Sequence, residues 1–85
     1  MTFEVTLTPS AARQLRKLDP QVRRRLRAVI DLLAQGPRPP EATQPVGGGG
    51  AWRVRTGDFR VVYEIHDFRL LVFLVALGHR REIYR

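Results

Sequence analysis

The segment WRVRTGDFRVVY, residues 52–63, sets arginine at positions 53, 55 and 60 within a run that otherwise alternates apolar and polar residues. With Gly57 and Asp58 as the central residues of a tight hairpin turn, Thr56 pairs with Phe59, Arg55 with Arg60, Val54 with Val61 and Trp52 with Tyr63. Directly paired residues share a face, so Trp52, Val54, Val61, Tyr63 and Ile65 point toward a core while Arg53, Arg55 and Arg60 point away from it. Arginine on a strand is ordinarily a solvated outer residue. Two directly opposed like charges, however, destabilise a sheet unless an anion sits between them. A merely solvated face would mix lysine, glutamate and threonine to relieve the repulsion, and Glu64 is the single acid expected on this one. Guanidinium groups match phosphate oxygens in pairs, so the chemistry these residues offer is phosphate binding and stabilisation of charge on a phosphate.

The tail GHRREIYR continues the theme. If the last strand returns beside the hairpin, it carries His79, Arg80, Arg81 and Tyr84 toward the same cluster. Tyrosine can stack on a nucleobase, and arginine can stack or bind phosphate. Each also has a plain structural reading: Tyr84 as a residue closing the core, His79 as a polar strand end.

Composition narrows the partners. The chain has 85 residues and a formal charge of +7, carried by 14 arginines against the single Lys17. That balance favours phosphate-rich partners, and an acidic protein as the second choice. Cysteine is absent, which excludes disulfides, thiolate catalysis and most structural zinc sites. His66 and His79 are too few to build a metal site, so neither a metal nor a small-molecule cofactor is expected. No apolar run is long enough to cross a membrane, and MTFEVTLTPS has neither the basic nor the apolar region of a secretory signal. A soluble, cytoplasmic protein with no membrane partner is the expectation.

The positioning elements follow from local pattern. FEVTL, residues 3–7, alternates as a half-buried strand does. Thr8 and Pro9 form a helix start, with Ala12, Leu15 and Leu18 at helical spacing before Asp19. Asp19 and Pro20 repeat the start signal, and Val22, Leu26, Val29, Ile30 and Leu33 make the apolar stripe of a second helix. Gly36 and Pro37 stop that helix near Gln35. Residues 36–50, with four prolines and five glycines, read as a loop with a mobile glycine-rich tip. Three strands follow over 51–56, 59–65 and 70–77, the last apolar on both faces and therefore central. The whole chain, 1–85, is one α+β domain in which two N-terminal helices pack on one face of a small antiparallel sheet.

On these residues the chain resembles the RelE/ParE superfamily of bacterial type II toxin–antitoxin toxins, and the RelE branch most closely. The order of elements, the RKL of the first helix, WRVRTGDFRVVYEI and LVFLVALGHRREIY carry the resemblance over nearly the full length. It implies a RelE-like, microbial-RNase-like fold and a metal-independent endoribonuclease that enters the ribosomal A site. There the 2′-hydroxyl of bound mRNA attacks the adjacent phosphate and translation stops. It implies a cognate antitoxin that covers the basic face.

By the same resemblance Arg53 stabilises charge, Arg55 holds the base position, Arg60 is the next arginine of the set, Arg80 protonates the leaving 5′-oxygen and Tyr84 stacks on the reacting nucleotide. Arg81 is a further RNA contact. Relatives commonly carry lysine at the base position, whereas an arginine holds its proton to above about pH 12. His79, which titrates near neutrality, is the alternative base; in a third version no side chain serves and the arginines act by charge alone. Gly47 to Gly50 stand where many relatives place a short leucine-containing segment. Two other functions fit the charge: the gyrase-directed ParE branch, and a noncatalytic nucleic-acid-binding module.

Overall fold

The computed structural model describes residues 2–44, 50–69 and 71–79, with Gly78 and His79 by backbone alone. Four strands and two helices run in the order β1 (Glu4–Leu7), α1 (Pro9–Arg16), α2 (Pro20–Gln35), β2 (Trp52–Thr56), β3 (Phe59–His66) and β4 (Leu71–His79), with a 3-10 turn at Asp67–Arg69 before β4. Gly47, Gly48 and Gly49 of the long loop's glycine run lie outside the described residues.

The strands form one sheet in the order β1-β4-β3-β2. As expected, β2, β3 and β4 make an antiparallel meander and β4 is internal. The expectation of an antiparallel sheet fails only at β1, which pairs parallel to β4, Glu4 with Leu71 through Leu7 with Leu74, so the sheet is mixed. The internal place of β4 comes from its two hydrogen-bonded neighbours, β3 on one edge and β1 on the other. No tight turn links β1 to β4, so nothing local fixed their relative direction.

The first helix attaches at a bulge in β4. Val62 pairs with Ala76 but Tyr63 with Leu74, which leaves Val75 as the extra residue. The inward parity of β4 flips there: Val72 and Leu74 are buried before it, Leu77 after it. Thr8 holds both sides of this junction. Its hydroxyl donates to the Val75 carbonyl at 3.0 Å and accepts from the Ala11 N–H at 3.1 Å, so one side chain caps α1 and binds the bulge. One turn on, the Gln14 side-chain oxygen accepts from the Leu77 N–H at 3.0 Å.

The core is drawn from every element except β1. Ala11 and Leu15 come from α1, Leu26, Ile30 and Leu33 from α2, and Val54, Val61, Tyr63, Val72, Leu74 and Leu77 from the sheet. Val22 and Val29 of the expected stripe are half-buried at its margin, and so are Trp52 and Ile65, which flank the core on the predicted face. Tyr63 is fully buried, and its hydroxyl donates to the Pro37 carbonyl at 2.7 Å. A buried hydroxyl without a partner would be destabilising, so this bond pins the start of the long loop to the sheet. Burial pushes the Tyr63 hydroxyl up to about 12. Among the described residues no helix is long and apolar enough to cross a membrane.

Candidate functional site

The hairpin has the register its sequence implies. Trp52 pairs with Tyr63, Val54 with Val61, Arg55 with Arg60 and Thr56 with Phe59. Gly57 adopts φ +59°, the left-handed backbone that the first position of a primed hairpin turn requires. Val54, Val61 and Tyr63 consequently face the core. Arg53, Arg55 and Arg60 lie on the opposite face, where Arg55 is exposed and the other two are half-buried.

These arginines do not stand on an open surface. They line a cleft of about 240 Å³ together with Val54, Glu41 and Thr43. Its second wall is the loop after α2, which the sequence marked only as irregular. Thr43 and Arg53 exchange two backbone hydrogen bonds of 2.8 Å each, an isolated antiparallel bridge that covers the outer edge of β2. Covering an edge strand in this way removes a site for unwanted pairing. Here it also fixes the backbone from which Arg53 projects.

The rest of the loop is tied down with equal care. Arg38 donates both terminal nitrogens to Asp67, at 3.1 and 2.9 Å, and its guanidinium lies 5.6 Å from the centre of the Trp52 ring. The hydrogen bond to Asp67 raises the affinity of Arg38 for its proton and lowers that of Asp67. Ala42 donates its N–H to the Pro39 carbonyl at 2.9 Å, closing the turn that leads to Thr43. Pro37, Arg38 and Thr43 are therefore each fastened to the sheet or to the turn before β4, and Glu41 rides between them at the lip of the cleft.

One sequence expectation about charge needs correction. Glu64 was expected as the only acid on the arginine face; Glu41, delivered by the loop, lines the cleft with the arginines. Glu64 itself is 3.2 Å from His66 Nε2 near the other end of β3. The signal for Thr43 and Glu41 was weak, because backbone pairing of an isolated residue leaves no side-chain period. The need to cover the edge of β2 was the one hint.

The end of β4 reaches the site. Its Gly78 and His79 pair by backbone with Arg60 and Phe59. The His79 side chain and the tail residues Arg80, Arg81 and Tyr84 lie outside the described residues. Among the described residues no group of three or more histidines, cysteines or carboxylates is placed to hold a metal ion.

Comparison with known proteins matches this architecture. Residues 5–84 fit the family described as the ParE toxin of type II toxin–antitoxin system, parDE. Toxin RelG of Mycobacterium tuberculosis is 32% identical over 90 residues, spanning 100% of this chain and 99% of that protein. The toxin–antitoxin complex RelBE2 of the same organism contains a chain that superposes with a TM-score of 0.83 at 24% identity, over 94% of this chain and 100% of that one. The archaeal RelE–RelB complex of Pyrococcus horikoshii gives 0.81 at 27% identity, over 94% and 97%. The intact RelBE complex of E. coli gives 0.80 at 22%, over 91% and 95%. Sequence along nearly the whole chain, and the fold with it, place this protein in the RelE/ParE superfamily as a type II toxin–antitoxin toxin.

Proposed function

We propose that the protein is a ribosome-dependent mRNA endoribonuclease that cuts the message in the ribosomal A site and so inhibits translation. The observation that carries this reading is the cross-strand pair Arg55 and Arg60, held with Arg53 in one concave cleft on the face opposite the core. Opposed like charges persist where an anion relieves them, and a phosphodiester is the anion that guanidinium geometry fits best.

In this reading Arg53 and Arg60, half-buried and backed by the sheet, grip the scissile phosphate. Arg55 adds charge as negative charge grows on the phosphate oxygens. Fixed cations of this kind favour the transition state because they need no reorganisation when the charge appears. The ribose 2′-oxygen attacks phosphorus, and the products are a 2′,3′-cyclic phosphate and a free 5′-hydroxyl. Arg80 protonates the leaving oxygen, Tyr84 stacks on the reacting nucleotide and Arg81 adds a backbone contact. A cognate antitoxin occupies the arginine face in the resting cell, as the relatives from Pyrococcus horikoshii and E. coli are found in complex with RelB. Its contacting segment is acidic or amphipathic, so binding weakens as salt is raised.

A second reading rests on the family description, which names ParE. A gyrase-directed toxin would share the fold without cutting RNA. Primer extension on a translated message after induction separates the two. Codon-phased cuts are the expected result; DNA-damage signalling without cuts would move the protein to the gyrase-directed branch. Growth arrest with neither would leave a noncatalytic nucleic-acid-binding module.

A further inference from the structure

The proposed reaction needs a proton acceptor for the 2′-hydroxyl, and the three cleft arginines cannot supply one. A guanidinium is among the weakest proton acceptors that side chains offer, so it makes a poor general base. Among the described residues lining the cleft, Glu41 alone carries a group that can act as a base near neutrality. Its position is not accidental to a floppy loop. The Tyr63–Pro37 bond, the paired Arg38–Asp67 bonds and the two Thr43–Arg53 backbone bonds fix the chain on both sides of it.

A carboxylate here works against simple phosphate binding, because it repels the anion that Arg53, Arg55 and Arg60 attract. A site built only to grip RNA would do better with a neutral or basic residue at 41. A site built to cleave RNA has a use for it. The arginines take the phosphate, and the acid at the lip is left to face the ribose beside it.

We propose that Glu41 is the general base of RNA cleavage, accepting the proton of the ribose 2′-hydroxyl as it attacks the phosphate held by Arg53, Arg55 and Arg60. This rests on the nuclease reading above. The O–H electron pair forms the new 2′-O–P bond while the proton passes to the Glu41 carboxylate. The P–O5′ bond breaks with its electron pair on O5′, which takes a proton from Arg80. Solvent then removes the proton from Glu41 and restores that of Arg80.

The test is single-turnover cleavage of a message on programmed ribosomes. E41Q keeps the shape of the side chain at an exposed position and removes the basic oxygen. It should cut more slowly by a factor of about 100 or more while ribosome affinity is unchanged. E41A should be equally slow and should regain rate when acetate or formate is added. The wild-type rate should fall at the acid end of the pH profile, and E41Q should lack that limb. Arg53, Arg55 and Arg60 are the charged groups that line the cleft with Glu41, from β2 and β3. E41Q with the wild-type rate and acid limb would overturn the assignment. Weakened ribosome binding without carboxylate rescue would do so too, making Glu41 a positioning residue. A wild-type protein that cuts no message removes the nuclease reading itself, and the base with it.

Discussion

The two faces of the β2–β3 hairpin share one backbone register and serve opposite ends. The inner face, Val54, Val61 and Tyr63, is buried to exposures of 6%, 0% and 0% and closes the core. The outer face pairs Arg55 with Arg60 and gathers Arg53 beside them, an arrangement that by itself works against the sheet. Because strand side chains alternate, a single turn at Gly57 and Asp58 fixes both faces at once. Stability is supplied by one side of the hairpin and drawn upon by the other.

The largest effect should follow from damage to the inner face. Tyr63→Ala removes a fully buried ring and its bond to the Pro37 carbonyl. Loss of a large buried aromatic is worth about 3–5 kcal/mol, a substantial part of the stability of a small domain. Denaturant unfolding should show that loss, and growth arrest should weaken through a fall in folded protein.

Damage to the outer face should separate activity from stability. Arg60→Ala, or Arg53→Ala, should slow cleavage by a factor of about 100 or more, equivalent to roughly 2.7 kcal/mol of transition-state stabilisation. The unfolding midpoint should change far less than it does in Tyr63→Ala. Arg80→Ala should lose comparable rate with ribosome binding intact, if it protonates the leaving oxygen. His79→Ala should leave the shape of the pH–rate profile unchanged, if Glu41 is the base. A midpoint that falls in step with activity in the Arg60 variant would mean that the two faces are not independent.

Tyr63→Phe makes a smaller and more specific change. Removing the hydroxyl leaves the Pro37 carbonyl without this bond and should lower stability by about 1 kcal/mol. The alkaline side gives a second reading. Tyr63 holds its proton up to about 12 in the folded chain against 10.0 ordinarily. The stability that comes from keeping it neutral is complete below the lower value and is lost as pH rises through the upper one. Wild-type stability should therefore decline across that window, and the Phe variant should decline less.

The hairpin was legible because its signals are local. A glycine at the turn and strict alternation on both sides determine the pairing of Trp52 with Tyr63 and of Arg55 with Arg60. Thr8 with Pro9 marked the start of α1 for the same reason. What was not legible depends on distant backbone. The direction of β1 against β4 has no turn to set it. The bulge at Val75 is hidden inside LVFLVAL, where every residue is apolar and a flip of parity leaves no trace. Glu41 reaches the cleft because Thr43 bonds to Arg53 through backbone atoms, which the side-chain pattern does not record. Trp52 was expected in the core, yet it lies half-buried at its margin, with Arg38 of the loop over its ring.

The opposed arginines can be tested directly by measuring unfolding and single-turnover cleavage on the same preparation of Arg55→Glu. Glutamate opposite Arg60 turns a repulsive cross-strand pair into an attractive one, worth about 0.2–1 kcal/mol, and puts a negative charge where the phosphate must sit. The account predicts a protein that is harder to unfold and much slower to cut RNA. A variant that cuts at the wild-type rate, or one that loses stability along with activity, would contradict it.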